Sequence, residues 1–284
     1  MTKIHFVTDS ASDLPDDVIN RYNITVIPAF VNYGGQSYAD DGKALDRVKY
    51  YHDLPGMTSH PTTAAMPPAL AEEMIGKAFE GCDHLVIICT PPTLSGIYNS
   101  MRLGASGLPQ DRVTQIDSTT LTMGMGYQVM FAAETAEQTN GDLKAVLDTI
   151  ERVRRNQRVY AAPESMEFLR RSGRVSWAAA GAAALLQIKP VVLASEGKIE
   201  SIARVRTFSK AIDKLVELAQ EQVPLERLTI VHANNEAGAQ EVKSKLGSAA
   251  PADTRIAMVT PTIGTHIGPG ALGVTTLKQG WRTS

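Results

Sequence analysis

The chain has 284 residues, a formal net charge of -2, and charges of both signs interspersed along its length. This balance lacks the basic patch that nucleic acids and acidic membrane surfaces select, so both are excluded as partners. The length favours two packed domains, with one large α/β domain as the alternative. The two cysteines, Cys82 and Cys89, form neither a disulfide framework nor a metal-ligand pattern, which fits a reducing compartment.

The sequence offers no export signal or membrane span. A strand-like apolar run at residues 4–8 starts at once, which leaves no room for the apolar region of a signal peptide. The longest run of small apolar residues, 178–186, is predicted to be a helix. It is far shorter than the roughly 20 residues that a membrane span needs. We therefore expect a soluble cytoplasmic protein, and we take it to be a monomer.

Short apolar runs alternate with helical stretches from residue 4 to residue 117. This order predicts parallel strands joined by right-handed crossovers, with a ligand beyond the carboxyl ends of the strands. The predicted strands are 4–8, 25–31, 85–89 and 113–117, and the predicted helices are 16–22, 45–52, 69–79 and 96–105.

Polar residues follow these strands. Asp9-Ser10 and Asp117-Ser118 each end a predicted strand, and we interpret both pairs as caps of the next turn rather than as chemistry. Residues 31–38 predict a hairpin. The long loop 54–68 supplies neutral hydroxyls before a helix, where a ligand contact and an ordinary turn are equally good interpretations.

The pattern changes after two amphipathic helices in residues 124–156. Arginine-rich residues 151–158 mark the predicted domain boundary, which gives an N-terminal domain of residues 1–157 and a C-terminal domain of residues 158–284. Residues 189–194 and 198–204 predict a β-hairpin, so antiparallel pairing is expected in the second domain. Overall, the fold class is α/β, with a parallel-sheet N-terminal domain packed on a mixed-sheet C-terminal domain.

A glycine-rich stretch at residues 262–273 follows an apolar run and precedes another. We predict a loop joining two strands, with the imidazole of His266 in its middle. Glycines allow close approach to another molecule, and an imidazole suits a polar head group. The alternative is an ordinary hairpin with an incidental histidine.

Short motifs in the same order resemble the DegV family of bacterial fatty-acid-binding proteins along nearly the whole chain. Each motif is weak alone, and the order and spacing make the match specific. The motifs are Val7-Thr8-Asp9-Ser10, Ser12-Asp13-Leu14, Leu94-Ser95-Gly96 with Tyr98, Ile116-Asp117-Ser118 with Gly124 and Gly126, Phe168-Leu169, Ser172-Gly173-Arg174-Val175-Ser176, Ile188-Lys189-Pro190, Arg206-Thr207, and His266 with Gly268 and Gly270-Ala271.

The resemblance implies a fatty acid held between the two domains, with its carboxylate bound by Ser95, by a loop threonine and near His266. The family's threonine motif is altered here, so the hydroxyl is assigned to Thr62 or Thr63, with Thr58 as the secondary candidate. Arg206 and Gly268 are further candidates, Arg206 for the head group or a kinase surface. Arg174 is given mainly a structural role.

The resemblance also implies a carrier that presents the carboxylate to a fatty acid kinase and is not itself an enzyme. No cofactor or metal ion is expected, only a bound long-chain fatty acid. An acyl ester hydrolase using Ser95 and His266 is the alternative, although the glycine of a nucleophile elbow is missing before Ser95. A phosphotransferase ranks last, since the chain has no phosphate-binding Gly-x-x-x-x-Gly-Lys motif. The sequence does not specify acyl chain length.

Overall fold

The computed structural model describes residues 2–179 and 188–283. The strands are β1 (Ile4–Asp9), β2 (Thr25–Ile27), β3 (Phe30–Tyr33), β4 (Gln36–Ala39), β5 (Thr62–Ala64), β6 (His84–Cys89), β7 (Val113–Asp117), β8 (Gln157–Ala162), β9 (Lys189–Ser195), β10 (Lys198–Val205), β11 (Leu225–His232), β12 (Arg255–Met258) and β13 (Leu272–Lys278). The helices are α1 (Asp16–Tyr22), α2 (Arg47–Asp53), α3 (Pro68–Phe79), α4 (Ile97–Gly104), α5 (Thr122–Gln138), α6 (Leu143–Asn156), α7 (Met166–Ser172), α8 (Ser176–Ala179), α9 (Phe208–Gln220), α10 (Glu236–Leu246) and α11 (Pro261–Ile267).

The first sheet is parallel, in the order β2-β1-β6-β7. All six residues of β6 are buried, because α3 and α4 cover one face of the sheet while α1, α5 and α6 cover the other. Burial on both faces explains why this strand is an uninterrupted apolar run after His84. The predicted parallel sheet is confirmed.

The second sheet has six strands in the order β10-β9-β8-β13-β11-β12, and only β11 and β12 pair in parallel. Helices α9 and α10 pack on one of its faces and bury a large aliphatic core. The predicted hairpin is β9 and β10. The mixed α/β fold class is therefore confirmed, whereas the division into domains at residue 157 stays a prediction.

The strand predicted at residues 25–31 is wrong. Strand β2 ends at Ile27, and Phe30 begins β3 in a different, three-stranded sheet ordered β4-β3-β5. Pro28 lies at the break, where its missing N–H removes a donor from any continuing ladder. Strand β5 has only three residues and lies within the loop predicted for residues 54–68.

The loop predicted at residues 262–273 is also wrong, because helix α11 occupies its first half. Thr260 is the N-cap in extended conformation and Pro261 is the first helical residue, where a fixed φ favours the helix. Gly268, with φ of 86°, ends the helix in a conformation that L side chains rarely adopt. The glycines therefore delimit and pack a short helix.

The polar strand ends behave as caps. Asp9 Oδ1 accepts from the Ala11 N–H at 2.9 Å, and Asp117 Oδ1 accepts from the Thr119 N–H at 2.7 Å. Asp9 also joins two strand ends, because its Oδ2 accepts from the Thr90 N–H at 2.8 Å.

In the described part of the chain, no helix is long and apolar enough to cross a membrane. The helix predicted at residues 178–186 lies mostly outside the described residues, which include only its first two positions.

Two carboxyl groups of the N-terminal region are buried beside α11. Asp13 is 8% exposed and Asp40 is 2% exposed. The Oδ1 of Asp40 lies 4.0 Å from Arg47 Nη2. Burial raises the pKa of Asp13 to about 7, against the lowering effect of its hydrogen bond from the Thr260 N–H. Folded protein therefore holds a proton at Asp13 that unfolded protein releases near pH 4.

This difference predicts the sign of a pH effect on stability. Between about pH 4 and 7 the folded state binds the extra proton at Asp13, so the contribution of Asp13 to the free energy of unfolding should fall as the pH rises, by up to about 1.4 kcal/mol per pH unit. Asp13→Asn should remove this contribution, and urea titrations from pH 4.5 to 7.5 measure it as the difference in slope from the wild type. Asp148→Asn, which alters an exposed carboxylate on α6, serves as the control. Identical slopes for Asp13→Asn and the wild type would contradict the assignment.

Candidate functional site

A largely apolar cavity opens between the two sheets. Its empty volume is about 1070 Å³, counting the open space at its mouth. Residues on both sides of Gln157 line it, so its walls come from the N-terminal and C-terminal halves of the chain. The residues with polar side chains on its lining are Thr63, Thr90, Ser95, Thr122, Tyr160, Ser172, Arg174, His232, Thr262 and His266.

One wall of the cavity is a row of four paired residues on the second sheet. The row crosses four neighbouring strands, with one residue from each strand paired to the next. Its members are Val192 on β9, Ala161 on β8, Gly273 on β13 and Val231 on β11, and all four line the cavity. The two central members have the least bulk, whereas valines stand at both ends. A Cβ added to Gly273 would lie 2.9 Å from the Tyr160 carbonyl oxygen, so this position accepts no larger residue without movement. The row forms a shallow apolar trough.

His266 lies in the last turn of α11, and its imidazole is the polar centre of the site. Its Nε2 is 2.8 Å from Thr63 Oγ1, while its buried Nδ1 has no hydrogen-bond partner among the described residues. Burial, followed by the nearby Arg174 and His60, lowers the pKa of His266 to about 4. The imidazole is therefore neutral near pH 7, with one nitrogen able to donate and the other to accept.

The three candidate threonines differ in their exposure and in whether they line the cavity. Thr63 is the middle residue of β5 and is half-buried on the cavity side, whereas its neighbours Thr62 and Ala64 are exposed. This alternation follows from the two-residue period of a strand. Thr58 is also exposed and, like Thr62, does not line the cavity. The structure thus brings Thr63, and neither alternative, to His266.

Ser95 lines the same cavity just before α4. Its Oγ accepts from the Ile97 N–H at 3.3 Å, which places the hydroxyl at the start of the helix. His266 Nε2 is bonded to Thr63, and no hydrogen bond joins Ser95 to His266, although both residues are described. The two residues therefore share a cavity without forming the direct serine–histidine pair that activates a nucleophile.

Two remaining candidates, Arg206 and Gly268, do not line the cavity, whereas Arg174 does. Arg206 is exposed just beyond β10, and Gly268 ends α11, where an added Cβ would overlap the Phe168 ring. Arg174, expected to be mainly structural, lines the cavity and contributes to the low pKa of His266. Its guanidinium group was the available signal, since arginine forms strong charge-assisted hydrogen bonds with carboxylates.

No group of three or more His, Cys, Asp or Glu side chains within residues 2–179 and 188–283 is arranged to hold a metal ion. Cys89 is fully buried, and burial raises the pKa of its thiol far above the ordinary range. A raised thiol pKa disfavours the thiolate, so Cys89 is a core residue rather than a metal ligand or nucleophile.

Comparison with known proteins gives consistent matches along the chain. The family model described as "Uncharacterised protein, DegV family" matches residues 3–279. A DegV domain-containing protein of Deinococcus radiodurans is 30% identical over 275 residues, which is 95% of this chain and 97% of that protein.

Two solved structures are similar over almost their whole length. A DegV family protein from Thermus thermophilus, described for its fatty acid binding, has a TM-score of 0.88 and 29% identity, covering 98% of this chain and 100% of that one. DegV of Bacillus subtilis, a fatty acid binding protein, has a TM-score of 0.86 and 25% identity, with coverage of 98% and 100%. From the family match, which spans nearly every residue, we conclude that this chain belongs to the DegV family.

Proposed function

We propose that this protein binds a long-chain fatty acid in the cavity and leaves it chemically unchanged. The observation that carries the proposal is the contact between the buried, neutral His266 and Thr63 at one wall of a largely apolar cavity. The fatty acid binding of the relatives from Thermus thermophilus and Bacillus subtilis supports the same conclusion. The ligand would lie between residues 1–157 and residues 158–284, which we take as the two domains.

The carboxylate is assigned to Thr63, Ser95 and His266. Hydroxyl and imidazole N–H groups can donate to a carboxylate, and such charge-assisted hydrogen bonds are stronger than neutral ones. The bond between Thr63 and the neutral His266 uses one of the two protons of this pair, so the pair donates one hydrogen bond to the carboxylate. We assign that bond to His266 Nδ1, with Thr63 donating to Nε2. Arg174 adds a positive charge on the same cavity lining. An incoming carboxylate also supplies a partner for imidazole hydrogen bonding, which the buried His266 Nδ1 lacks in the described structure. The head group is thereby oriented without a covalent bond.

The tail provides most of the binding free energy. Burying about fifteen methylenes at ~0.8 kcal/mol each contributes on the order of 12 kcal/mol before association costs are subtracted. The trough of Val192, Ala161, Gly273 and Val231 offers an apolar surface with little side-chain bulk at its centre. We place part of the acyl chain along this trough.

The geometry supports binding over ester hydrolysis. A serine hydrolase needs its base within hydrogen-bonding reach of the nucleophile, whereas His266 Nε2 is engaged by Thr63, and Ser95 Oγ accepts from a backbone N–H. We further propose that the protein presents the bound carboxylate to a fatty acid kinase, as the sequence resemblance implies. Arg206, exposed beyond β10, remains our candidate for that kinase surface.

Protein purified from a lipid-rich host without denaturation should retain its ligand. Native mass spectrometry should show the mass of the chain plus one long-chain fatty acid, because a buried tail dissociates slowly, and organic extraction should identify the acid. A protein that carries no acyl ligand and takes up none when oleate is added would overturn the proposed function.

Thr63→Val should weaken oleate binding about five- to tenfold, or ~1–1.4 kcal/mol, because the isosteric valine keeps the shape and removes the hydroxyl. Isothermal titration calorimetry measures the change. The matched control is Thr62→Val, next in the chain but exposed, which should bind as the wild type does. Equal affinities for both variants would show that Thr63 does not contact the head group.

Ser95→Ala should reduce acyl phosphate formation by a bacterial fatty acid kinase more than it reduces fatty acid affinity. The reason is that the hydroxyl orients the carboxylate while the tail supplies the affinity. Acyl phosphate can be trapped as the hydroxamate, and affinity measured separately by titration. Ser106→Ala, at an exposed serine beyond α4, is the control. Losses of equal size in the two assays of Ser95→Ala would reject this division of roles.

A further inference from the structure

Helix α11 is held in place by four side chains from the first 51 residues of the chain. Asp13 Oδ1 accepts from the Thr260 N–H at 2.8 Å, and Asp40 Oδ2 accepts from the Thr262 N–H at 2.9 Å. Tyr51 Oη donates to the carbonyl oxygens of residues 259 and 260 at 2.9 and 3.1 Å. Tyr50 Oη lies 2.6 Å from Thr265 Oγ1.

The side of α11 that the two tyrosines hold differs from the side that faces the cavity. Ile263, His266 and Ile267 line the cavity and recur at the three- and four-residue spacing of one helix face. Thr262 also lines the cavity, and it is held through its backbone N–H. Gly264 and Thr265 contact Tyr51 and Tyr50, and a Cβ added at Gly264 would overlap the Tyr51 hydroxyl. Close packing on one face therefore fixes how far the other face projects into the cavity.

These attachments are buried and directional. Asp40, Tyr50 and Tyr51 are each 2% exposed or less, and Thr265 Oγ1 also donates to the Pro261 carbonyl at 2.7 Å. Burial raises the pKa of Asp40, and Asp9 and Arg47 are the other charged groups that act on this cluster. A carboxyl group accepts a backbone N–H on one oxygen whether or not the other oxygen carries a proton, so the attachment persists across neutral pH.

We propose that Asp40 and Tyr50 are positioning residues for fatty acid binding, because they fix α11 so that His266 meets Thr63 and the ligand carboxylate. Neither residue lines the cavity. Asp40 fixes the first turn through Thr262, and Tyr50 fixes the last turn through Thr265, the residue before His266. This inference rests on the proposed function for its effect on affinity, although the position of the imidazole can be tested without any ligand.

A small shift of α11 is enough to break the hydrogen bond between Thr63 and His266. The Thr63–His266 bond spans 2.8 Å, and a hydrogen bond is largely lost when its atoms separate by less than a further ångström. If α11 loses the acceptor at its first turn, the helix can rotate or slide by that amount while the core stays folded. The imidazole then loses its partner, and the head-group site is no longer formed in advance.

The test compares four full-length variants for oleate affinity and for the ¹⁵N chemical shifts of the His266 imidazole. Asp40→Ala should weaken binding about tenfold, and Tyr50→Phe about threefold, from the loss of one positioning hydrogen bond each. Both should move the His266 signals in the ligand-free protein. Asp40→Asn keeps an acceptor oxygen for the Thr262 N–H and should restore affinity to within about twofold of the wild type.

Asp17→Ala is the matched control. Asp17 also joins the N-terminal region to the second sheet, through two bonds to Arg255 on β12 at 2.7 and 2.9 Å, but it does not contact α11. Its replacement should leave affinity and the His266 signals unchanged. If Asp17→Ala lowers affinity and moves the His266 signals as much as Asp40→Ala does, the two halves loosen in general, and that result overturns the proposal.

Three other results would also decide whether Asp40 and Tyr50 position the imidazole. Unchanged His266 signals in Asp40→Ala, or Asp40→Asn as weak as Asp40→Ala, would overturn the role of the acceptor oxygen. If Asp40→Ala does not fold, Tyr50→Phe decides, since wild-type affinity and signals in that variant contradict the proposal. If the wild type takes up no oleate, the proposed function fails, while the ligand-free His266 signals still show whether Asp40 and Tyr50 position the imidazole.

Discussion

The burial of a neutral imidazole at the wall of an apolar cavity is the constraint on which the site depends. Removing His266 from water disfavours its charged form and leaves its nitrogens in need of partners that the cavity wall can supply only in part. Thr63 satisfies one nitrogen. Under the proposed function, the other nitrogen is the one that bonds to a polar ligand, so the burial that costs stability would also favour a head group over a plain hydrocarbon.

The rest of the fold supplies what that imidazole requires. The two sheets leave an apolar space between them, and the paired Ala161 and Gly273 keep the second sheet thin at the centre of its cavity face. Helix α11 places the imidazole at this space. The helix is bonded to Tyr50 and Asp40, which lie more than 200 positions earlier in the sequence. Under the proposed function, α11 would supply the polar contact and the second sheet much of the apolar surface.

The sequence predicts the regular parts of this fold well and the site only partly. Strand β6 follows from a continuous apolar run and helix α1 from the proline before it, and both are local signals. Helix α11 was missed because its glycines indicate a loop until the packing of Tyr51 against Gly264 is known. The choice of Thr63 over Thr62 depends on the facing of a three-residue strand, and a shift of one residue reverses it. Such long-range pairing leaves no local trace.

The central claim is that a fatty acid occupies the cavity with its carboxylate at Thr63, Ser95 and His266. A crystal structure with a fatty acid brominated at its terminal carbon tests this most directly, since the anomalous signal locates the tail independently of the head group. The account predicts carboxylate oxygens within hydrogen-bonding distance of Ser95 and of one member of the Thr63–His266 pair, and an acyl chain that runs along Ala161 and Gly273 inside the cavity. Bromine found only outside the cavity, or a carboxylate distant from His266, would contradict it.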